Sequence, residues 1–179
     1  MQIRQLIIGV MGSKDREQSE LSVPLGQLIA RKGFHLLTGG AQGVMKKVSE
    51  AFYSVPKSER QGVTIGVIPT IEEPNGFFKI REGYPNPFVE VPIITPLPIS
   101  DVNNPALINR NHVNILTSDI VIALPGGPGT ANEINLALKF GKPLILFDPD
   151  NTSPNFPPSV PRALTINDID RFLNEQSSG

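Results

Sequence analysis

Residues Asp119–Thr130 read DIVIALPGGPGT, and this stretch decides the fold. An unbroken apolar run, DIVIAL, is the pattern of a strand buried on both faces, as in a parallel sheet. The run passes directly into two glycines, a proline and a third glycine. Glycine permits backbone conformations closed to other residues, and proline suits the first turn of a helix. The stretch therefore predicts strand, tight turn and helix in immediate succession, with Pro128 near the first helical position and the helix running over Thr130–Phe140 to a stop at Gly141.

Working outward, the same grammar recurs. Ile3–Val10 predicts a first strand that enters a turn at Gly12-Ser13, and Phe34–Thr38 a second that enters Gly39-Gly40. Val63–Ile68 reads as a third strand ended by Pro69, and Pro143–Phe147 as a sixth. Val89–Thr95 reads as a strand at an edge or bulge, because Pro92 within it lacks a donor. Helices are expected over Ser19–Lys32, from about Gln42 to Tyr53, over Ala106–Thr117 and over Ile166–Glu175. Alternating strands and helices predict an α/β fold: one Rossmann-like, three-layer domain over residues 1–179, with a mostly parallel sheet and helices on both faces. Such sheets bind ligands beyond the carboxyl ends of their strands, where the glycine turns gather.

Composition narrows the classes. The chain has 179 residues, 16 Lys plus Arg, 17 Asp plus Glu, and a net charge of -1, which argues against nucleic-acid or anionic-membrane partners. No apolar run reaches the roughly 18–20 residues of a membrane span, and the N-terminus reads as a strand rather than a signal peptide. Without a cysteine there is no disulfide or thiolate site, and a cytoplasmic location is expected. His35 and His112 are isolated, with no acid at ligand spacing, so no metal site is expected. Of the 18 prolines, eight fall between Pro69 and Pro105 and five between Pro149 and Pro161. They mark loops at about 69–105 and 149–161, with Thr70–Phe88 mostly irregular.

The glycine loops carry the chemistry. At Pro125-Gly126-Gly127-Pro128-Gly129-Thr130 a helix N-terminus offers unpaired N–H groups and the positive end of its dipole to an anion. A phosphate held by Gly127, Gly129 and the Thr130 hydroxyl is expected, although a turn that uses glycine for geometry alone has the same pattern. The second loop, Thr38–Met45 (TGGAQGVM), lacks the dinucleotide fingerprint, and no Walker P-loop is present.

The segment INRNHVNILTSDIVIALPGGPGTANEINLALKFGKPLI, with TGGAQGVM before it, resembles the LONELY GUY superfamily, once labelled lysine decarboxylases. The family pattern is a GGG-x-x-G-[LV]-M loop, an Arg-Lys pair and PGGxGTxEE. The resemblance spans about residues 3–147 and implies a ligand site of Gly12, Ser13, Gly39, Gly40, Gly43, Met45, Arg110, Asn111, Pro125, Gly126, Gly127, Gly129, Thr130 and Glu133. Many members are nucleoside 5'-monophosphate phosphoribohydrolases. In such a hydrolase Arg110 and Glu133 would be catalytic, Arg110 on the phosphate or leaving group and Glu133 at the ribose. Nothing supplies the cofactor lysine that a decarboxylase needs.

Two positions depart from that pattern. Asn111 stands for the lysine and Asn132 for the first glutamate of the pair. The Arg-Asn pair and GGPGT look closer to the molybdenum-cofactor carrier-like branch, although Pro96–Asn109 is more proline-rich than either group leads one to expect. The expected function is therefore a binding protein for a phosphorylated nucleotide-like or pterin ligand, a nucleotide monophosphate or the molybdenum cofactor, with no cofactor required. Hydrolysis of an N-glycosidic bond is the alternative. Apolar positions on the helices over 106–117 and 131–140 also lead us to expect a homodimer or higher homo-oligomer.

Overall fold

The structure is a computed structural model, and it describes residues 4–101, 104, 107–153 and 156–178. Ile3, Pro105, Ala106 and Pro154, which the sequence placed in a strand, a helix start and the proline-rich stretches, lie outside the described residues.

The elements follow in the order β1 (Ile7–Met11), α1 (Ser19–Arg31), β2 (His35–Thr38), α2 (Val44–Tyr53), β3 (Thr64–Glu72), β4 (Phe78–Ile80) and β5 (Val91–Thr95). They continue with α3 (Arg110–Thr117), β6 (Ile120–Ala123), α4 (Pro128–Lys139), β7 (Leu144–Phe147), β8 (Arg162–Ala163) and α5 (Ile166–Ser177). The sheet runs β4-β3-β2-β1-β6-β7-β8, with β5 also on β3, and every pairing is parallel except β3 with β4. The α/β reading holds.

Strand residues alternate between two cores, as a period of two requires. Ile120, Ile122 and Leu124 face the layer of α1, α2 and α5, together with Ile8, Val10 and Phe52. Val121 and Ala123 face the opposite layer, where Ile115 of α3 and Ile134 and Ala137 of α4 pack. Chain order jumps between β1 and β6, which are neighbours in space. The turns after β1, β2 and β6 therefore meet on one rim.

Three expectations need correction. β3 does not stop at Pro69 but continues to Glu72, and Phe78–Ile80 pairs back on it as β4 within the stretch read as mostly loop. Pro69 has no donor, yet its carbonyl accepts from Arg81 N–H across 3.1 Å, so the strand survives it. α3 starts at Arg110 rather than Ala106, because Asn109 caps it: its side chain accepts from Asn111 N–H, and His112 Nδ1 accepts from Asn109 N–H. α4 starts at Pro128 rather than Thr130, with that proline in the first turn as its geometry demands.

Pro92 sits on an edge strand as expected, paired with Gly66 of β3. Beyond β4 the chain is fastened back to the rim by Asn86, which is almost fully buried. Its backbone N–H donates to Gly40 O (2.9 Å), its side-chain amide donates to Ala41 O (3.0 Å), and its Oδ1 accepts from Phe88 N–H. Among the described residues no helix is long and apolar enough to cross a membrane.

Candidate functional site

At the end of β6 the chain turns through Leu124–Gly127 into α4. Gly127 is the N-cap residue, no side chain caps the helix, and among the described residues nothing accepts from the N–H groups of Gly129 and Thr130. A Cβ placed on Gly127 or Gly129 would meet nothing within 4 Å. The helix start is open, and it opens into a cavity of about 610 Å³. A space of that size suits a small-molecule ligand. Gly126 differs from these two. A Cβ there would lie 2.1 Å from Thr130 Oγ1, so glycine makes room for a threonine side chain that is almost wholly buried.

The neighbouring wall comes from the turn after β1. Ser13 Oγ accepts from the N–H groups of Asp15 and Arg16, and Ser13 O accepts from Val44 N–H at the start of α2. Gly43, at φ 63, permits that approach, since a Cβ would fall 2.4 Å from Ser13 O. Gln18, also left-handed at φ 45, donates through its side-chain amide to Pro125 O, which ties this turn to the loop before α4.

Of the residues the sequence nominated, Gly12, Ser13, Met45, Arg110, Asn111, Gly127, Gly129, Thr130 and Glu133 line the cavity. Gly39, Gly40, Gly43, Pro125 and Gly126 do not; they shape the loops behind it. Arg110 is withdrawn from solvent. It is 8% exposed, and its Nη1 donates to Gly39 O and Val67 O while Nη2 donates to the Tyr84 hydroxyl. A Cβ on Gly39 would come within 2.9 Å of Nη1, so that glycine admits the guanidinium. The Tyr84 ring lies 5.2 Å from the guanidinium carbon, and Nε is buried without a partner.

Glu133 is 9% exposed, one turn into α4. Asn114 of α3 donates to its Oε1 across 3.2 Å, and among the described residues nothing donates to its second oxygen. Burial pushes this carboxyl up to about 7, against the opposing pull of the Arg110 charge and the Asn114 hydrogen bond. A carboxyl raised in this way can be held protonated and donate a hydrogen bond at the cavity wall, as well as accept one. Asn111 and Asn132 meet beside it.

Other polar and charged side chains have structural occupations. His35 Nδ1 accepts from Val63 N–H, and burial followed by the Arg4 charge lowers its pKa. Lys47 pairs with Glu50 and Glu17. Asp119 accepts from Ile7 N–H and pairs with Arg4. The sequence missed the outer wall, where Arg81, Glu82, Gly83 and Tyr84 line the cavity, as do Lys14, Asp15 and Gln42. Its one signal was a charged and aromatic cluster, Arg81-Glu82-Gly83-Tyr84, within the proline-rich stretch.

Known proteins share this architecture. The molybdenum cofactor binding protein from the phototrophic bacterium Rippkaea orientalis is 34% identical, with a TM-score of 0.69 over 97% of this chain and 98% of its own. The molybdenum cofactor carrier protein from Chlamydomonas reinhardtii is 30% identical, with a TM-score of 0.69 over 98% of this chain and 100% of its own. An uncharacterized protein from Archaeoglobus fulgidus is 30% identical over 144 residues, 79% of this chain and 80% of that one. A profile described as the SLOG cluster4 family matches residues 5–169, which takes in both glycine loops, α3 and α4 together; the chain belongs to the SLOG cluster4 family.

Proposed function

We propose that the protein binds and carries a small phosphorylated heterocycle of the molybdenum-cofactor type, with its phosphate at the start of α4. The carrying observation is the uncapped helix N-terminus, whose open glycines face a 610 Å³ cavity. Two free N–H groups and the helix dipole favour a phosphate there. The binding and carrier proteins from R. orientalis and C. reinhardtii support the pterin as cargo. The site residues are those of the cavity wall, with Glu133 and Asn111 facing the heterocycle or its linker. The protein acts as one domain, in the cytoplasm, and as a homodimer or higher homo-oligomer. Exposed Leu107, Ile108, Leu116 and Leu138, in or next to α3 and α4, support that assembly.

Thermal shifts with a pterin phosphate and with AMP test the reading. A ligand that binds only the folded chain must raise Tm as its concentration passes Kd. No stabilisation by either at millimolar concentration sinks it.

A second reading has one observation in its favour, the buried carboxyl of Glu133 with a free oxygen on the cavity wall. It is a phosphoribohydrolase that splits a nucleoside monophosphate into free base and ribose 5-phosphate. Chromatography for free base after incubation with AMP separates the two readings.

A further inference from the structure

Among the described residues that line the cavity, Arg81 is a cation that the phosphate at α4 does not use. Arg81 follows β4 directly and is fixed through its backbone: its N–H donates to Pro69 O, and its carbonyl accepts from Tyr84 N–H across 3.2 Å. It lines the cavity and is partly buried. The other arginines withdrawn from solvent all have partners. Arg60 holds Glu90, Arg162 holds Asp148, and Arg110 holds Gly39 O, Val67 O and the Tyr84 hydroxyl. Among the described residues no group accepts a hydrogen bond from the Arg81 side chain or pairs with its charge. Five N–H donors are therefore left for whatever enters.

We propose that Arg81 forms a second anion subsite, and that the ligand carries a second phosphate-like oxyanion apart from the one at α4. This rests on the binding function proposed above. Strand order sets the separation. α4 rises from the end of β6, whereas Arg81 stands beside Pro69 of β3, with β1 and β2 between. Three strand spacings put roughly 14 Å between the two main-chain positions, a gap that the long Arg81 side chain can shorten from within the same cavity. The ligand class is a phosphorylated heterocycle that carries a second anionic group separate from its first phosphate. A planar guanidinium with all its donors free suits a bidentate oxyanion. Lys14 adds positive charge at the mouth, and the carboxylates there, Asp15 and Glu82, are exposed, where water and salt screen them.

Calorimetry with AMP and adenosine 3′,5′-bisphosphate tests this on the folded full chain. We expect the bisphosphate to bind about tenfold tighter than AMP at low salt, the usual worth of a charged hydrogen-bonded contact. In Arg81→Gln that ratio falls to about one, and in Arg81→Lys it is intermediate. A ratio near one in the wild type, or a ratio that Arg81→Gln leaves unchanged, overturns the second subsite while AMP binding still upholds the first. If the folded protein binds neither compound at millimolar concentration, the second subsite falls, while the binding function stands or falls separately with the pterin phosphate.

Discussion

The side-chain amide of Asn111 donates to Oδ1 of Asn132 across 3.1 Å, linking the first turn of α3 to α4. These are the two positions where the hydrolase pattern has a lysine and a glutamate. Both charges are absent here, and the two neutral residues keep a contact of their own. Asn111 is almost fully buried, so a charge introduced on one side alone would be stranded. Asn111→Lys and Asn132→Glu should each cost about 1–3 kcal/mol, with the double variant less damaged than the sum of the two. Urea unfolding of all four proteins measures this. Strict additivity would show that the pair is not coupled.

Gly127→Val should abolish binding of a phosphorylated ligand while leaving the fold within about 1 kcal/mol of wild type. The φ of Gly127 is -95, open to any residue, and its Cβ would project into free space. Gly126→Val should do the reverse to stability, because its side chain would strike Thr130. Thermal melts with and without AMP distinguish the two variants; equal ligand shifts in wild type and Gly127→Val would place the phosphate elsewhere.

Glu133 makes stability depend on pH in a definite direction. Its carboxyl has an ordinary value of 4.5 and rises to about 7 in the folded chain. Between those values the folded chain holds a proton that the unfolded chain has released. The associated stability is full below about pH 4.5 and is lost as pH rises through about 7, amounting to about 3 kcal/mol. Glu133→Gln should lack this slope. Unfolding midpoints of both proteins at pH 5 and pH 8 decide it, and parallel curves would refute the buried titration.

Arg110→Ala should destabilise the protein by about 2–4 kcal/mol, apart from any effect on ligand. It would leave the carbonyls of Gly39 and Val67 without their donor and free Tyr84 from the guanidinium. Arg110→Lys should recover only part, since an ammonium cannot reproduce the planar fork. Denaturation of the ligand-free variants reads this directly.

Light scattering should return at least twice the 19.4 kDa of one chain at micromolar concentration. Leu116→Lys with Leu138→Lys should lower that mass, because both side chains are exposed and outside the core. A wild-type mass of one chain would end the oligomer proposal.

Much of the fold was legible because burial leaves a mark in composition. The strand before PGGPGT is apolar at every position because β6 is covered on both faces, and Pro128 and the glycines announce the helix behind it. β4 leaves no such mark: Phe78, Lys79 and Ile80 are all exposed, so no alternation records an inner face. Pro69 read as a strand end because sequence shows its missing donor but not the Arg81 N–H that uses its carbonyl. The partners of Arg110 lay beyond reach for a similar reason. They are main-chain carbonyls 71 and 43 residues away, and a carbonyl has no letter in a sequence.

Asn86 closes the excursion of residues 70–86 at a fixed stem, while Pro69 O holds its other side through Arg81. Between those points the tip at Pro74–Gly76 stands in solvent, and a Cβ on Gly76 would meet nothing within 4 Å. The base is thus held by hydrogen bonds in which the tip takes no part. Insertions at the tip can lengthen the arm, or give it new side chains, without moving Arg81 or Tyr84 at its base. The arm can therefore diversify between related proteins while the pocket below stays constant, and the same tip offers a place to graft a reporter or an affinity handle.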